Sequence, residues 1–303
     1  MIALIDGDIV VYRVGYTTEA DSEGIARART NEMIETILEE TKANQFECWL
    51  SDSAENNFRY KIFPAYKGNR TQPRPKHYDL IKEHLLTEWS ARFAHGMEAD
   101  DALGFRQDQG PIEYGGQDEF GTVICSIDKD LLQVPGLHYN FVKKEWIEVT
   151  SWEGLKWFYK QILIGDVSDN IKGCKGIGPV KAGKILDPVS SSEGEQELLK
   201  RVFACYQRQE KARSQEENEE IVKHIILTGS LLKIKQEEGE PSWDSLSYKL
   251  MEGLRSSFTQ PVVVESTPST EPTTAMTKTS DGSLFSGSLT DTSSGMEKQA
   301  SST

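Results

Sequence analysis

The sequence predicts an α/β fold built on a central, mostly parallel sheet flanked by helices, and three short apolar runs carry that prediction. Ile2-Ala3-Leu4-Ile5 runs into Asp6, Cys48-Trp49-Leu50-Ser51 into Asp52, and Val123-Ile124-Cys125-Ser126-Ile127 into Asp128. Runs of this kind are strands buried on both faces of a parallel sheet. In open α/β sheets ligands bind beyond the carboxyl ends of the strands. All three aspartates are therefore expected at one edge of the sheet. Like charges that close are costly unless a cation neutralises them, and a divalent metal site is the simplest resolution.

The remaining elements follow in order. Residues 1–52 read as strand, polar connection, helix (roughly 31–42) and strand. Residues 53–78 break that rhythm, being basic, aromatic and interrupted by Pro64, Pro73 and Pro75. Helical periodicity resumes over 77–93, with Leu80, Ile81, His84, Leu85 and Trp89 near one face, and Gly96 ends it. Glu98-Ala99-Asp100-Asp101 opens another helix, and a Gly-rich loop leads to Gly121 and the third strand. Residues 137–142 and 146–150 around Lys143-Lys144 read as a β-hairpin. From Trp152 the chain looks helical, with glycine turns at 173–178 and then a charged helical pair or one long helix over 193–226. Beyond residue 265 Ser and Thr dominate with little to bury, a composition expected to be disordered. The domains expected are an α/β core at 1–150 with a basic segment at about 53–95, a helical part at 151–235, and an acidic tail at 236–303.

A net charge of −14 over 303 residues argues at first against a polyanion partner, but its distribution matters more than its sum. Residues 236–303 hold ten acids and four bases, so −6 comes from the tail. Arg59, Lys61, Lys67, Arg70, Arg74 and Lys76 face only Glu55 in their stretch, and Lys172, Lys175, Lys181 and Lys184 have no acid among them. Two such patches can grip a polyanion, or can be ordinary solvated faces. No apolar stretch is long enough to span a bilayer and no signal peptide is visible, so a soluble, cytoplasmic protein without a membrane partner is expected. Cys48, Cys125, Cys174 and Cys205 are scattered, without zinc spacing, and read as reduced thiols.

The acids extend beyond the strand ends. Asp128 and Asp130 point to one side if the chain is extended there. Asp166 and Asp169 share one helical face or turn, and Glu98, Asp100 and Asp101 sit at a helix start, where the dipole tolerates acids. Each has an ordinary alternative, as a helix cap or a turn residue. Their joint occurrence favours a metal. All-oxygen ligands suit Mg²⁺ or Mn²⁺, and the number of acids exceeds what one such ion needs, so two ions are expected. A pair of ions can stabilise both the attacking and the leaving oxygen of a phosphoryl displacement, which leaves the histidines without a catalytic role.

Leu4-Ile5-Asp6-Gly7-Asp8, Asn57-Phe58-Arg59 leading to Tyr66-Lys67-Gly68-Asn69-Arg70, Glu98-Ala99-Asp100-Asp101, Ser126-Ile127-Asp128-Lys129-Asp130, and Gly165-Asp166-Val167-Ser168-Asp169-Asn170 with Gly176-Ile177-Gly178-Pro179 follow in one order. This resembles the 5′→3′ exonuclease and flap-endonuclease family, most closely its short phage-encoded members, over about residues 1–190. The resemblance implies a PIN-like nuclease core, with one metal held mainly by Asp6, Asp52, Glu98, Asp100 and Asp101. A second metal would lie near Asp128, Asp130, Asp166 and Asp169. It implies a helical arch or clamp from the basic segment around Arg59–Lys76, with Lys67 and Arg70 on the scissile phosphate and Tyr66 stacked on the terminal base.

It further implies that the Gly-rich turn is a helix–turn–helix gripping duplex backbone, often around a monovalent cation such as K⁺. Locally, the helix start after Gly176 and Gly178 offers backbone N–H groups to phosphate, and Lys172, Lys175, Lys181 and Lys184 add charge. A plain helix–helix turn would look similar. The function expected is hydrolysis at 5′ ends of duplex or flapped DNA, and of RNA in hybrids, in phage DNA replication, degradation or recombination, within the host cytoplasm. A non-catalytic DNA-binding module on the same fold and a PIN-type ribonuclease are the alternatives. A flexible tether for a replication partner is conceivable for the tail, with nothing specific to support it.

Overall fold

The computed structural model describes residues 1–108, 112–113, 119–236 and 243. The expected disordered tail lies outside the described residues, as does most of the 107–121 connection. The described residues all fall within one compact unit.

Strand β1 (Ile2–Asp6) is buried along its whole length and leads directly into helix α1 (Gly7–Thr17), with Asp6 as the N-cap. This helix stands where the sequence suggests a polar connection. Val10, Val11 and Val14 bury one face of α1, but they are β-branched and weaken its helical signature. Helix α2 (Glu23–Thr41) starts earlier than expected and buries Ala26, Thr30, Ile34, Ile37 and Thr41 at three- and four-residue spacing. Strand β2 (Gln45–Ser51) follows, then a five-residue helix α3 (Phe58–Ile62). Helix α4 (Tyr78–Glu88) is shorter than the expected 77–93, because the chain turns at Ser90 (φ 50°) and forms edge strand β3 (Arg92–Ala94). Helix α5 (Ala99–Asp108) carries the acid-rich start, and a small hairpin joins β4 (Ile112–Glu113) to β5 (Glu119–Phe120).

Strand β6 (Thr122–Cys125) completes the set of three apolar runs, and a 3-10 turn (Lys129–Gln133) follows it. Strands β7 (Gly136–Asn140) and β8 (Glu145–Val149) form the expected hairpin. The six-stranded sheet has the order β3-β2-β1-β6-β7-β8, parallel throughout except for β7 with β8. β1 therefore sits between the strand that follows it and one reached by a long crossover, which is the switch point where an open sheet leaves a crevice.

Beyond the sheet, α6 (Ser151–Ile164) begins with a Thr150–Glu153 capping box. A two-stranded turn of β9 (Gly165–Asp166) and β10 (Ile171–Lys172) leads to α7 (Pro179–Leu186). The charged region is a helical pair, α8 (Gly194–Glu210) and α9 (Gln215–Leu232), broken at the left-handed Lys211. Helices α6 to α9 have their own apolar core, including Phe158, Ile162, Leu199 and Ile225, and Tyr66 belongs to it. The sheet has a core on each face, one with α1, α2 and α4 and one beneath α5.

The two parts meet closely at Gly154 of α6, where a Cβ would stand 2.4 Å from the Gln133 carbonyl oxygen. Gly154→Ala is expected to force that contact apart and to destabilise the protein by about 1–3 kcal/mol, although alanine favours a helix. A thermal melt with no drop in midpoint would contradict this packing.

Candidate metal and phosphate site

The crevice at the carboxyl end of β1 collects acids from four places in the chain. Asp6 ends β1 and is buried; its carboxylate accepts from Ile9 N at 3.1 Å and Ser126 Oγ at 2.7 Å. Burial, and then Asp8, push its pKa up to about 7. Asp100, in the first turn of α5, is held well above the usual carboxylate range by burial and then by Asp6, Asp128 and Glu98. Asp128 caps the 3-10 turn, accepting from Asp130 N at 2.8 Å; burial raises its pKa, with Asp166 and Asp169 adding to the rise. Asp130 is raised to about 7 by burial, then by Asp128 and Asp166. Asp166 accepts from Ser168 N at 2.7 Å and Asp169 N at 3.3 Å within the β9–β10 turn.

A cavity of about 390 Å³ is lined by Glu98, Asp100, Asp128, Asp130, Asp166 and Asp169, with Lys67 and Arg70 at its rim. The Lys67 ammonium bonds the Glu98 carboxylate and stands 3.7 Å from Asp169 Oδ2. The Arg70 guanidinium bonds Asp169. Burial opposes the Glu98 charge, yet Lys67 and then Arg59 outweigh it and lower its pKa. Lys67 and Arg70 also line a second cavity of about 490 Å³ with Arg74, Lys82, Tyr12 and Tyr78. Asp8, Asp52 and Glu98 also line this second cavity, so it is mixed in charge and aromatic where the first is rich in acids.

Among the described residues, no three acid, histidine or cysteine side chains stand close enough to cage an ion as they are placed. The donor set nonetheless fits a hard divalent cation. The ligands on offer are all oxygen, and Asp6, Asp100, Asp128 and Asp130 are held above the usual carboxylate range first by burial and then by neighbouring acids. A bound cation favours the charged forms against both effects.

Four expectations for individual residues are corrected. Asp52 does not join the cluster: it accepts from Gly96 N at 2.8 Å, Ser53 N at 2.7 Å and Asn56 Nδ2 at 3.1 Å. Those bonds, Gly96 first, lower its pKa to about 2, and it serves to tie a loop. Asp101, expected as a ligand, is wholly buried and takes both forks of Arg59, at 2.5 and 3.0 Å. Arg59, expected on DNA, is 2% exposed and committed to that pair. Tyr66, expected to stack on a base, is also 2% exposed, and its hydroxyl donates to Glu98 at 3.0 Å and Asp169 at 2.9 Å.

The basic segment is no helical arch either. After α3 it runs as turns, pinned to α1 and the turn beyond it by Tyr16 Oη donating to Pro73 O at 3.2 Å and Lys76 N donating to Glu19 Oε2 at 3.0 Å. Pro75 packs against Gly15, which has no Cβ to block it.

Three residues were missed. The sequence assigns Asp8 no role of its own, yet it lies in the first turn of α1, accepts from Ser51 N at 3.2 Å and has its pKa raised by burial. Trp157 and Gln161, one turn apart on α6, line the acidic cavity with a buried indole N–H and a buried amide oxygen that have no protein partner. Their helical spacing beside Asp166 was the available signal.

Lys172, Lys175, Lys181 and Lys184 are all exposed around the Gly173–Gly178 loop and α7. Gly178 caps α7, and Lys181 Nζ donates to the Gly176 carbonyl at 2.8 Å. His77 and His84 are buried and bonded to Asp21 O and Asn31 Oδ1. All four cysteines are free and buried. Among the described residues, no helix is long and apolar enough to cross a membrane.

Acids and cations gathered at a sheet's switch point define a class: α/β proteins with a ligand crevice at the carboxyl edge of an open sheet. Residues 1–158 match the family model described as 5′-3′ exonuclease, N-terminal resolvase-like domain, and the chain belongs to that family. It is 28% identical over 221 residues to the thermostable DNA polymerase I of Thermus thermophilus, covering 66% of this chain and 25% of the polymerase. It is 26% identical over 215 residues to the 5′-3′ exonuclease of Bacillus subtilis, covering 61% of this chain and 69% of that protein. The chain thus spans about a quarter of the length of the polymerases it matches. A solved structure of the T5 D15 protein co-crystallised with metal ions aligns at a TM-score of 0.47 and 15% identity, covering 83% of this chain and 98% of that one.

The raised acids set a pH signature for protein stripped of divalent ions. Asp6 and Asp130 keep their protons to about pH 7 when folded, whereas an unfolded aspartate loses its proton near pH ~3.9. The native state binds more protons across that window, so stability falls as pH rises through it. Asp52 has the opposite sign, but its contribution is lost only at acid pH, as pH falls from the usual aspartate value towards about 2. In chelator the melting temperature is expected to decline between about pH 5 and about pH 8, and added Mn²⁺ to restore it at the upper end. A flat profile would show that burial and neighbouring acids do not hold these carboxyls above their usual range.

Proposed function

We propose that this chain is a divalent-metal-dependent 5′→3′ exonuclease that hydrolyses phosphodiester bonds at the 5′ ends of duplex or flapped DNA. The observation that carries the reading is one cavity lined by Glu98, Asp100, Asp128, Asp130, Asp166 and Asp169 together with Lys67 and Arg70, with Asp6 close enough to help raise the pKa of Asp100. Two Mg²⁺ or Mn²⁺ ions held there would supply Lewis acidity to activate water and to offset negative charge at the phosphate. Asp6, Asp100 and Asp128, with Glu98, are the residues to hold the first, and Asp130, Asp166 and Asp169 the second.

The chain's own groups do the rest. Lys67 and Arg70 now neutralise Glu98 and Asp169. Divalent ions would take over that duty and free both side chains for the scissile phosphate, where cations position without reading sequence. The exposed lysines around Gly176 and Gly178, with the N-terminus of α7, suit the backbone of the duplex beyond the cleaved end. A K⁺ ion at that loop would compete with Lys181 for the Gly176 carbonyl.

The pinned segment 71–77 leaves the rim without a long helical cover, which favours attack at ends over threading of long flaps. Action on RNA in hybrids, a role in phage replication or recombination and a host-cytoplasm setting rest on the resemblance described above.

Incubation of 5′-labelled duplex with and without Mg²⁺ tests the reading: label is expected to be released only with metal, and intact label in its presence would refute it. Asp128→Ala is expected to lower turnover by about 100-fold or more, since several kcal/mol of metal-borne stabilisation go with it, while DNA binding persists. Preferential cleavage of single-stranded RNA would favour the PIN-type ribonuclease instead. Lys181→Ala should weaken binding alike on all sequences and reduce the slope of log K against log salt by about 1. An unchanged slope would remove Lys181 from the DNA face.

A further inference from the structure

Residues 231–236, the last two of α9 and the four beyond it, lie outside the segment that matches the family model, yet they run against the helix that carries Asp100. Arg59 Nε donates to Leu231 O at 2.8 Å and its Nη2 to Lys233 O at 3.0 Å. The same guanidinium holds both oxygens of Asp101 and stands 3.8 Å from Glu98 Oε2. Asp101 in turn accepts from Lys235 N at 3.1 Å and from Glu98 N at 3.2 Å. On the other flank, Gln133 Nε2 donates to Leu232 O at 2.8 Å and its Oε1 accepts from Ile234 N at 3.2 Å. Ile234 is 3% exposed, in the small core with Leu103, Leu131 and Val134. Gly104 of α5 makes the approach possible, because a Cβ there would stand 2.5 Å from Lys235 O and 2.8 Å from Ile234 Cγ2.

We propose that residues 231–236 form a strap that sets the aim of Glu98 and Asp100, with Arg59 and Asp101 as the positioning residues. The inference rests on the metal-dependent reading above. Asp100 and Asp101 are neighbours in the first turn of α5, so whatever fixes the rotation of Asp101 about the helix axis fixes Asp100 as well. Metal ligands must be held within about 0.5 Å of their working geometry, which loose packing does not ensure. A buried ion pair is a poor source of net stability compared with apolar packing. What it offers is direction: the guanidinium is a rigid fork, and here it joins a carboxylate to two carbonyls of a distant segment. The acid site is therefore completed by a segment from the far end of the helical part.

The test uses the full chain. Gly104→Ala pushes the strap away without touching an acid, and in a helix alanine is otherwise favourable. The paired replacement Arg59→Met with Asp101→Leu removes the clasp without leaving a buried charge unpartnered. Near-UV circular dichroism checks folding, manganese paramagnetic resonance measures Mn²⁺ affinity, and 5′-labelled duplex gives kcat and KM. Folded variants are expected to bind Mn²⁺ about tenfold more weakly and to lose kcat at least as much, with KM for DNA within about twofold of the parent. A folded variant of either kind with parental Mn²⁺ affinity and kcat overturns the strap. Should the paired variant fail to fold, Gly104→Ala decides alone. A parent that binds Mn²⁺ but leaves DNA intact sinks the nuclease reading, while the Mn²⁺ comparison still judges the strap; a parent that binds no Mn²⁺ sinks both.

Discussion

Crowding of carboxylates at the end of β1 is the constraint on which the rest of the structure depends. Parallel strands end on the same side of a sheet, so acids that follow β1 and β6 are brought together by pairing alone. Folding thus forces Asp6 and Asp128 near Asp100, against their mutual repulsion. Local devices reduce the cost: Ser126 and the start of α1 donate to Asp6, the 3-10 turn donates to Asp128, and Lys67 and Arg70 stand over Glu98 and Asp169. None of these supplies a full counter-charge to Asp6, Asp100 or Asp130, whose pKa values stay raised. Below about pH 7 protons offset that charge on Asp6 and Asp130, and a small multivalent cation is compact enough to take their place.

What could be read from the sequence was what is local. A strand's acid reveals itself because strand and acid are contiguous, and the β7–β8 hairpin because alternation and a turn sit side by side. Directions around a helix were less legible. Asp100 and Asp101 are adjacent in sequence but about 100° apart around the axis, and one faces the crevice while the other faces Arg59. Asp52 follows β2 just as Asp6 ends β1, yet two donors from the next loop and a third, Gly96 N beyond β3, turn it aside. α1 escaped notice because its buried face is made of valines, which speak for strands.

The basic segment shows why charge counting misleads. Arg59 and Tyr66 lie among lysines and look like parts of a surface for polyanions. In the fold they turn inward, because buried acids need partners more than the solvent face needs charge. Tyr66 packs edge-on against Tyr60 in the helical core and touches Glu98 and Asp169 at once. It is a brace between Glu98 and Asp169, and the cations beside it, Lys67 and Arg70, pair with the same two carboxylates from the cavity side. The sequence patch was real, but its members divide between support and contact according to which direction each side chain takes.

That division makes the relation between the two parts of the molecule a chemical matter. Glu98, Asp100 and Asp128 come from the sheet side, and Asp166 and Asp169 from the turn after α6. Their spacing is set wherever the two sides touch. Gln133 lies at such a place: its carbonyl is packed beneath Gly154 of α6, while its side chain holds Leu232 and Ile234. A shift of α6 carries Asp166 with it, and a shift of residues 231–236 pulls on α5, so one residue of the sheet side registers both movements. A cavity of about 390 Å³ lined by acids from both sides tolerates little slack if ions and a phosphate are to fit together, and the close contacts at Gly154 and Gly104 are where that slack is removed.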